Sequence, residues 1–146
     1  MGRKVAVYEM RRDGWRSYFE LHVHPTVKSM RKTLAEDPFF NSDGLDTTDG
    51  CVCPVSTMDT KTGERDGLFA YMHLNEEHLG VGIVSHECLH VALAHERMTM
   101  FGMRYGDECG KDEERLAYLL TDIIRGVYDI LYEHGHIKPD SGRAKE

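Results

Sequence analysis

A chain of 146 residues, 40% of them hydrophobic, can bury a core without disulfide or metal staples and is too short for a second domain to be expected. Eighteen Lys and Arg against 25 Asp and Glu give a formal net charge of −7 with no basic run, which argues against a nucleic-acid partner. No apolar window reaches the roughly 18 residues of a membrane span, and Arg3 and Lys4 are followed by no signal-peptide core, so the expected setting is the cytoplasm with no membrane partner.

The first predicted elements are two short strands, Val5–Tyr8 and Tyr18–His24, joined through the turn-prone Arg12-Asp13-Gly14 as a hairpin. Thr26 is a natural cap for a helix through Val27, Met30, Leu34 and Ala35, ended by Asp37-Pro38. From Asn41 to Gly67 the chain is rich in Asp, Thr and Gly and reads as a long loop, with a short strand expected near Cys51 to Met58. The segment Leu68–Leu74 alternates as a half-buried strand and is a candidate edge for binding an extended peptide, with an interior core strand as the alternative. A helix is expected from about Leu79 to Arg97, followed by a glycine-bearing loop over Met98–Gly110. A second long helix covers about Lys111 to Glu133 and is closed by Gly135. Residues 139–146 read as a disordered tail, leaving 1–138 as a single domain. Strands first and long helices afterward predict an α+β fold, a small mixed sheet with an edge strand and two long helices on one face.

The four cysteines stand at 51, 53, 88 and 109, without the paired Cys-x-x-Cys of a zinc ribbon. Reduced thiols are expected, Cys51 and Cys53 with no special role and Cys88 facing the core. His22 and His24 share a strand face before Pro25 and are expected to face solvent rather than to form a His-x-His metal site. His134 and His136 flank the helix-ending Gly135, where capping of carbonyls is expected.

The segment His86-Glu87-Cys88-Leu89-His90 carries the most chemistry. In this H-E-x-x-H the histidines lie just over one helical turn apart, so both imidazoles share a face and can hold one zinc ion, while Glu87 can act as a base. A catalytic zinc usually takes three protein ligands, so a third is needed. His95 follows His86 by nine positions, which at about 100° per residue places it on the far side of the helix. The other source is the helix opened by Asp112-Glu113-Glu114. Glu113 lies nearer the apolar stripe Leu116, Leu120, Ile123, Ile124, Val127 and Leu131. Glu114 is followed by Ala117 and Thr121, small residues that would let two helices approach, and is the preferred ligand with Glu113 as the alternative.

His86, Glu87 and His90, together with Glu114, Ala117 and Tyr118, resemble the gluzincin pattern of small zinc metallopeptidases. The nearest likeness in size is to repressor- and regulator-cleaving metallopeptidases of mobile elements and to short phage-encoded proteins with a similar pair of helices. The resemblance covers roughly residues 68 to 132. Tyr118 departs from the Asp or Asn that many gluzincins carry after the Ala, and the proline-terminated segment often seen in the regulator-cleaving group is missing.

The resemblance implies a zinc-dependent peptidase acting on an intracellular protein or peptide, in the host cytoplasm if the chain is phage-encoded. His86, His90 and Glu114 would hold the metal, and Glu87 would take a proton from the activated water and pass it to the leaving amine. Tyr105, Tyr118, Tyr128 and His73 are candidate donors to the oxyanion. The alternative is a catalytically silent zinc-binding module serving interaction or structure, for which Glu87 would have no use as a base.

Overall fold

The computed structural model describes residues 3–37, 40, 43–55, 67–99 and 111–138. Among these residues, four strands and three α-helices follow in the order β1 (Ala6–Met10), β2 (Tyr18–His24), α1 (Val27–Glu36), β3 (Cys51–Pro54), β4 (Leu68–Asn75), α2 (Val81–Thr99) and α3 (Lys111–Glu133). This is an α+β architecture built on a small mixed sheet of strand order β1-β2-β4-β3.

The hairpin forms where the sequence predicts it. Trp15 N–H donates to the Arg12 carbonyl at 2.9 Å, and the turn uses Gly14 at φ 83°, a left-handed conformation open to glycine without a Cβ clash. β1 and β2 then pair antiparallel from Ala6 opposite Val23 to Met10 opposite Phe19. β2 and β4 are parallel, with a register shift at Tyr18/Phe19, and α1 lies in the long crossover that a parallel pair requires.

β4 is interior, which corrects the edge-strand expectation for Leu68–Leu74. It pairs with β2 on one side and with antiparallel β3 on the other, so the edge beside it is β3. A strand covered on both faces reads as nearly continuous apolar sequence, and seven of the eight β4 positions are buried.

Alternation sorts the sheet into two faces. Phe19, Leu21 and Val23 of β2 and Ala70, Met72 and Leu74 of β4 join Val84, Cys88, Val91 and Ala92 of α2 and Leu119, Ile123, Val127 and Leu131 of α3 in one core cluster. Each fully buried Leu or Val of this set contributes on the order of 1.5–3 kcal/mol. The two long helices therefore share one face, as predicted. α1 belongs to the other face, where Asn75 Nδ2 donates to Met30 Sδ at 3.7 Å. Thr26 caps α1 by accepting from Ser29 N–H at 3.0 Å.

The end of α3 closes with Gly135 at φ 74° and with His136 N–H donating to the Leu131 carbonyl at 2.8 Å. The flanking imidazoles do not serve that cap. His136 Nε2 meets the Tyr8 hydroxyl at 2.7 Å, and the His134 ring centroid lies 4.7 Å from that of Tyr8, so both tie the helix end to β1. The expected loop at 98–110 begins later than predicted, since α2 runs to Thr99; residues 100–110 and the expected disordered tail at 139–146 lie outside the described residues. Among the described residues no helix is long and apolar enough to cross a membrane.

Candidate metal centre

α2 carries the H-E-x-x-H segment and sorts its side chains by helical geometry. Val84, Cys88, Val91 and Ala92 face the core at 0% exposure, one helical stripe that packs on the sheet. Burial pushes the Cys88 thiol up to about 12, so it is an inert apolar residue as its position in the motif predicts. Leu89, although apolar, is 39% exposed.

His86 and His90 stand on the exposed flank of α2, and their Nε2 atoms converge to 3.2 Å. Two imidazole nitrogens held at about 2.0–2.1 Å by a tetrahedral zinc are about 3.3 Å apart, so this pair fits two positions of one coordination shell. Burial, then the neighbouring His86 and Arg97, lower the proton affinity of His90, which favours the neutral imidazole that a metal requires.

Glu87 turns inward from the same turn. It is 7% exposed, and its Oε1 lies 4.0 Å from His86 Nε2. Burial raises its pKa while the nearby His86 acts in the opposite direction. A carboxyl of raised proton affinity beside a convergent histidine pair has a property suited to a general base.

The chain opposite Glu87 comes from the long loop. Thr47, Thr48, Asp49 and Gly50 face Gly82, Ile83, His86 and Glu87 across a cavity of about 380 Å³. Gly50, immediately before β3, comes close to the helix: a Cβ there would lie 3.0 Å from Glu87 Cγ and 3.2 Å from Ile83 Cγ2. Asp49 is held beside this wall by Arg31, whose NH2 donates to Asp49 Oδ1 at 3.3 Å. The Asp-, Thr- and Gly-rich composition of the loop gave no sign of which residues would meet the helix.

No third candidate ligand is assembled with the pair among the described residues. Among the described residues, no group of three or more His, Cys, Asp or Glu side chains is arranged to hold a metal ion. Glu113 and Glu114 open α3 as exposed residues. The small residues Ala117 and Thr121 are exposed too, and Tyr118 is 66% exposed, so the helix contact that favoured Glu114 is absent at that stripe. α3 packs instead through Leu119, Ile123, Val127 and Leu131. Near the same end of the helix pair, Arg115 donates to the buried Glu96 at 3.3 Å.

His22, His24, His73 and His95 are elsewhere. His95 stacks on Trp15 with ring centroids 4.5 Å apart and meets the edge of Phe69 at 5.3 Å, on the side of α2 away from the pair, as its spacing predicts. His22, His24 and His73 lie on the α1 face of the sheet, the face opposite α2. The solvent-facing expectation for His24 is corrected: it is fully buried, and its Nε2 lies 3.1 Å from His73 Nδ1. Of the tyrosines considered as oxyanion donors, Tyr128 packs against the core, and Tyr105 lies outside the described residues.

No protein-family model, curated protein or solved structure matches the chain.

Proposed function

We propose that the protein is a zinc-dependent peptidase in which His86 and His90 bind the metal, Glu87 is the general base, and Glu114, with Glu113 as the alternative, is the third ligand. The observation that carries this reading is the convergence of His86 Nε2 and His90 Nε2 at 3.2 Å with the buried Glu87 carboxyl 4.0 Å from the first of them. Chance placement of two surface histidines on a helix explains their proximity but not the inward carboxyl beside them. A metal serving structure alone has no use for that carboxyl, which favours hydrolysis over a catalytically silent module.

When bound, zinc would supply Lewis acidity toward a carbonyl and would acidify a coordinated water. Glu87 accepts the proton of the attacking water and delivers it to the leaving amine, work to which a carboxyl of raised proton affinity is suited. The wall formed by Thr47 to Gly50 screens Glu87 on the loop side. β3, with β4 bonded along one side and its outer side at the sheet edge, offers backbone groups to an extended substrate by strand addition. This transfers the peptide-binding role expected for Leu68–Leu74 to Cys51–Pro54.

The deciding experiment is Glu87→Gln assayed on a mixed peptide library with zinc supplied. Cleavage by the wild-type chain and its loss in the variant, with zinc binding kept in both, is the expected result. An equally active variant rules out Glu87 as the base. Zinc binding without cleavage of any peptide by the wild-type chain supports the silent module instead.

A further inference from the structure

Cys51 and Cys53 are the nucleophilic pair that the proposed metal chemistry leaves unused. They stand two positions apart on the edge strand β3, so both project from the same face, and their sulfurs approach to 3.7 Å. Cys51 lies opposite His73 and Cys53 opposite Tyr71, which assigns both to the sheet face away from α2 and α3. Both are partly exposed rather than buried like Cys88, so a small reagent can reach them.

We propose that Cys51 and Cys53 form a reversible dithiol/disulfide centre that exchanges with small-molecule disulfides. Residues two apart on a strand have Cα atoms about 6.6–6.8 Å apart, at the upper end of the roughly 4.4–6.8 Å that disulfides span. Closing the bond therefore requires a small pucker of β3. An edge strand tied by one ladder can make that pucker, and a bridge under such strain is readily reduced again. The inequivalence of the two thiols fits the exchange. The contact between the two thiols lowers the pKa of Cys53 and, together with burial, raises that of Cys51, which suits Cys53 as the attacking thiolate and Cys51 as the resolving thiol.

The exchange balances with an oxidised disulfide such as glutathione disulfide as co-reactant. Cys53 thiolate attacks one sulfur of the reagent, breaking its S–S bond and releasing one glutathione thiolate. Cys51, giving its proton to solvent, then attacks Cys53 Sγ in the mixed disulfide and releases the second. The protein dithiol loses two electrons and two protons, and two glutathione thiols gain them. The metal reading is not needed for any step.

The full-length chain is incubated with glutathione disulfide, alkylated and cut with trypsin; with no Lys or Arg between Lys32 and Lys61, both sulfurs stay in one peptide. The expected wild-type peptide is lighter by two hydrogen atoms, is not alkylated at either cysteine, and regains both thiols in excess reduced glutathione. Cys51→Ser should instead retain one glutathione on Cys53, since nothing resolves it. Recovery of both cysteines as free thiols, or as two lasting glutathione adducts, overturns the proposal. So does protection of the wild-type thiols by zinc that is lifted only by a chelator, which would make the pair a metal site.

Discussion

Gly50 of the long loop lies close against Glu87 of the motif helix. Because a Cβ at Gly50 would sit 3.0 Å from Glu87 Cγ, Gly50→Ala forces the carboxyl to shift by a few tenths of an ångström. A base displaced this far loses about tenfold in kcat/KM, equivalent to about 1.4 kcal/mol at the transition state. The same substitution should leave zinc affinity near that of wild type. Unchanged kcat/KM in Gly50→Ala, measured beside zinc binding by titration, would show that the loop does not position the base. The buried histidines give a second residue-scale prediction. Burial, followed by the neighbouring His22, lowers His24 to about 4, and burial, followed by His22 and His24, lowers His73 to about 3. In the unfolded chain each titrates near about 6.5, so below that pH the unfolded state takes protons that the folded state refuses. Stability should be independent of these groups above about pH 6.5 and should fall as the pH drops toward 4, each tenfold difference in proton affinity being worth about 1.4 kcal/mol. Urea denaturation across this range checks the slope, and His24→Gln should flatten it. An identical slope in that variant would assign the acid sensitivity to other groups.

Elements were legible where their signal was local. β2 spans Tyr18–His24 and α3 spans Lys111–Glu133 as read from sequence, because period-2 alternation and a long apolar stripe need no partner to be seen. The Thr26 cap was equally plain. Pairing was not: β4 was visible as a strand, but its interior place depends on β3 arriving from the long loop and on β2 lying parallel to it, contacts remote in sequence. His24 was misjudged for the same reason, since nothing in the hairpin says that α1 will fold back over that face. At the candidate metal centre, the convergence of the histidine pair followed from spacing within one helix. The third ligand depends on how two helices meet, and there the small-residue stripe of Ala117 and Thr121 misled, being exposed. The packing assigned to α3 predicts that Leu131→Ala, at a fully buried site, costs about 2–5 kcal/mol in chemical denaturation. Leu89→Ala on the exposed side of α2 should stay within about 0.5 kcal/mol. Equal losses at the two sites would contradict this assignment of buried and exposed faces.

At the scale of the whole molecule, one core fixes α2 and α3 on a shared face of the sheet, leaving the His86 and His90 pair at the surface and Glu87 at the boundary with the core. The loop ending at Gly50 then borders Glu87, so the residues facing that carboxyl come from a segment far from the motif in sequence. Because the pair is already convergent, a bound metal adds its affinity to folded-state stability by mass action rather than having to assemble the helix. Zinc analysis after equilibrium dialysis tests the central claim most directly. The wild-type chain and Glu87→Gln should each retain about one zinc, while His86→Ala and His90→Ala should each lose most of it. Absence of zinc from the wild-type chain, or undiminished zinc in both histidine variants, would contradict the assignment of a metal centre to this helix.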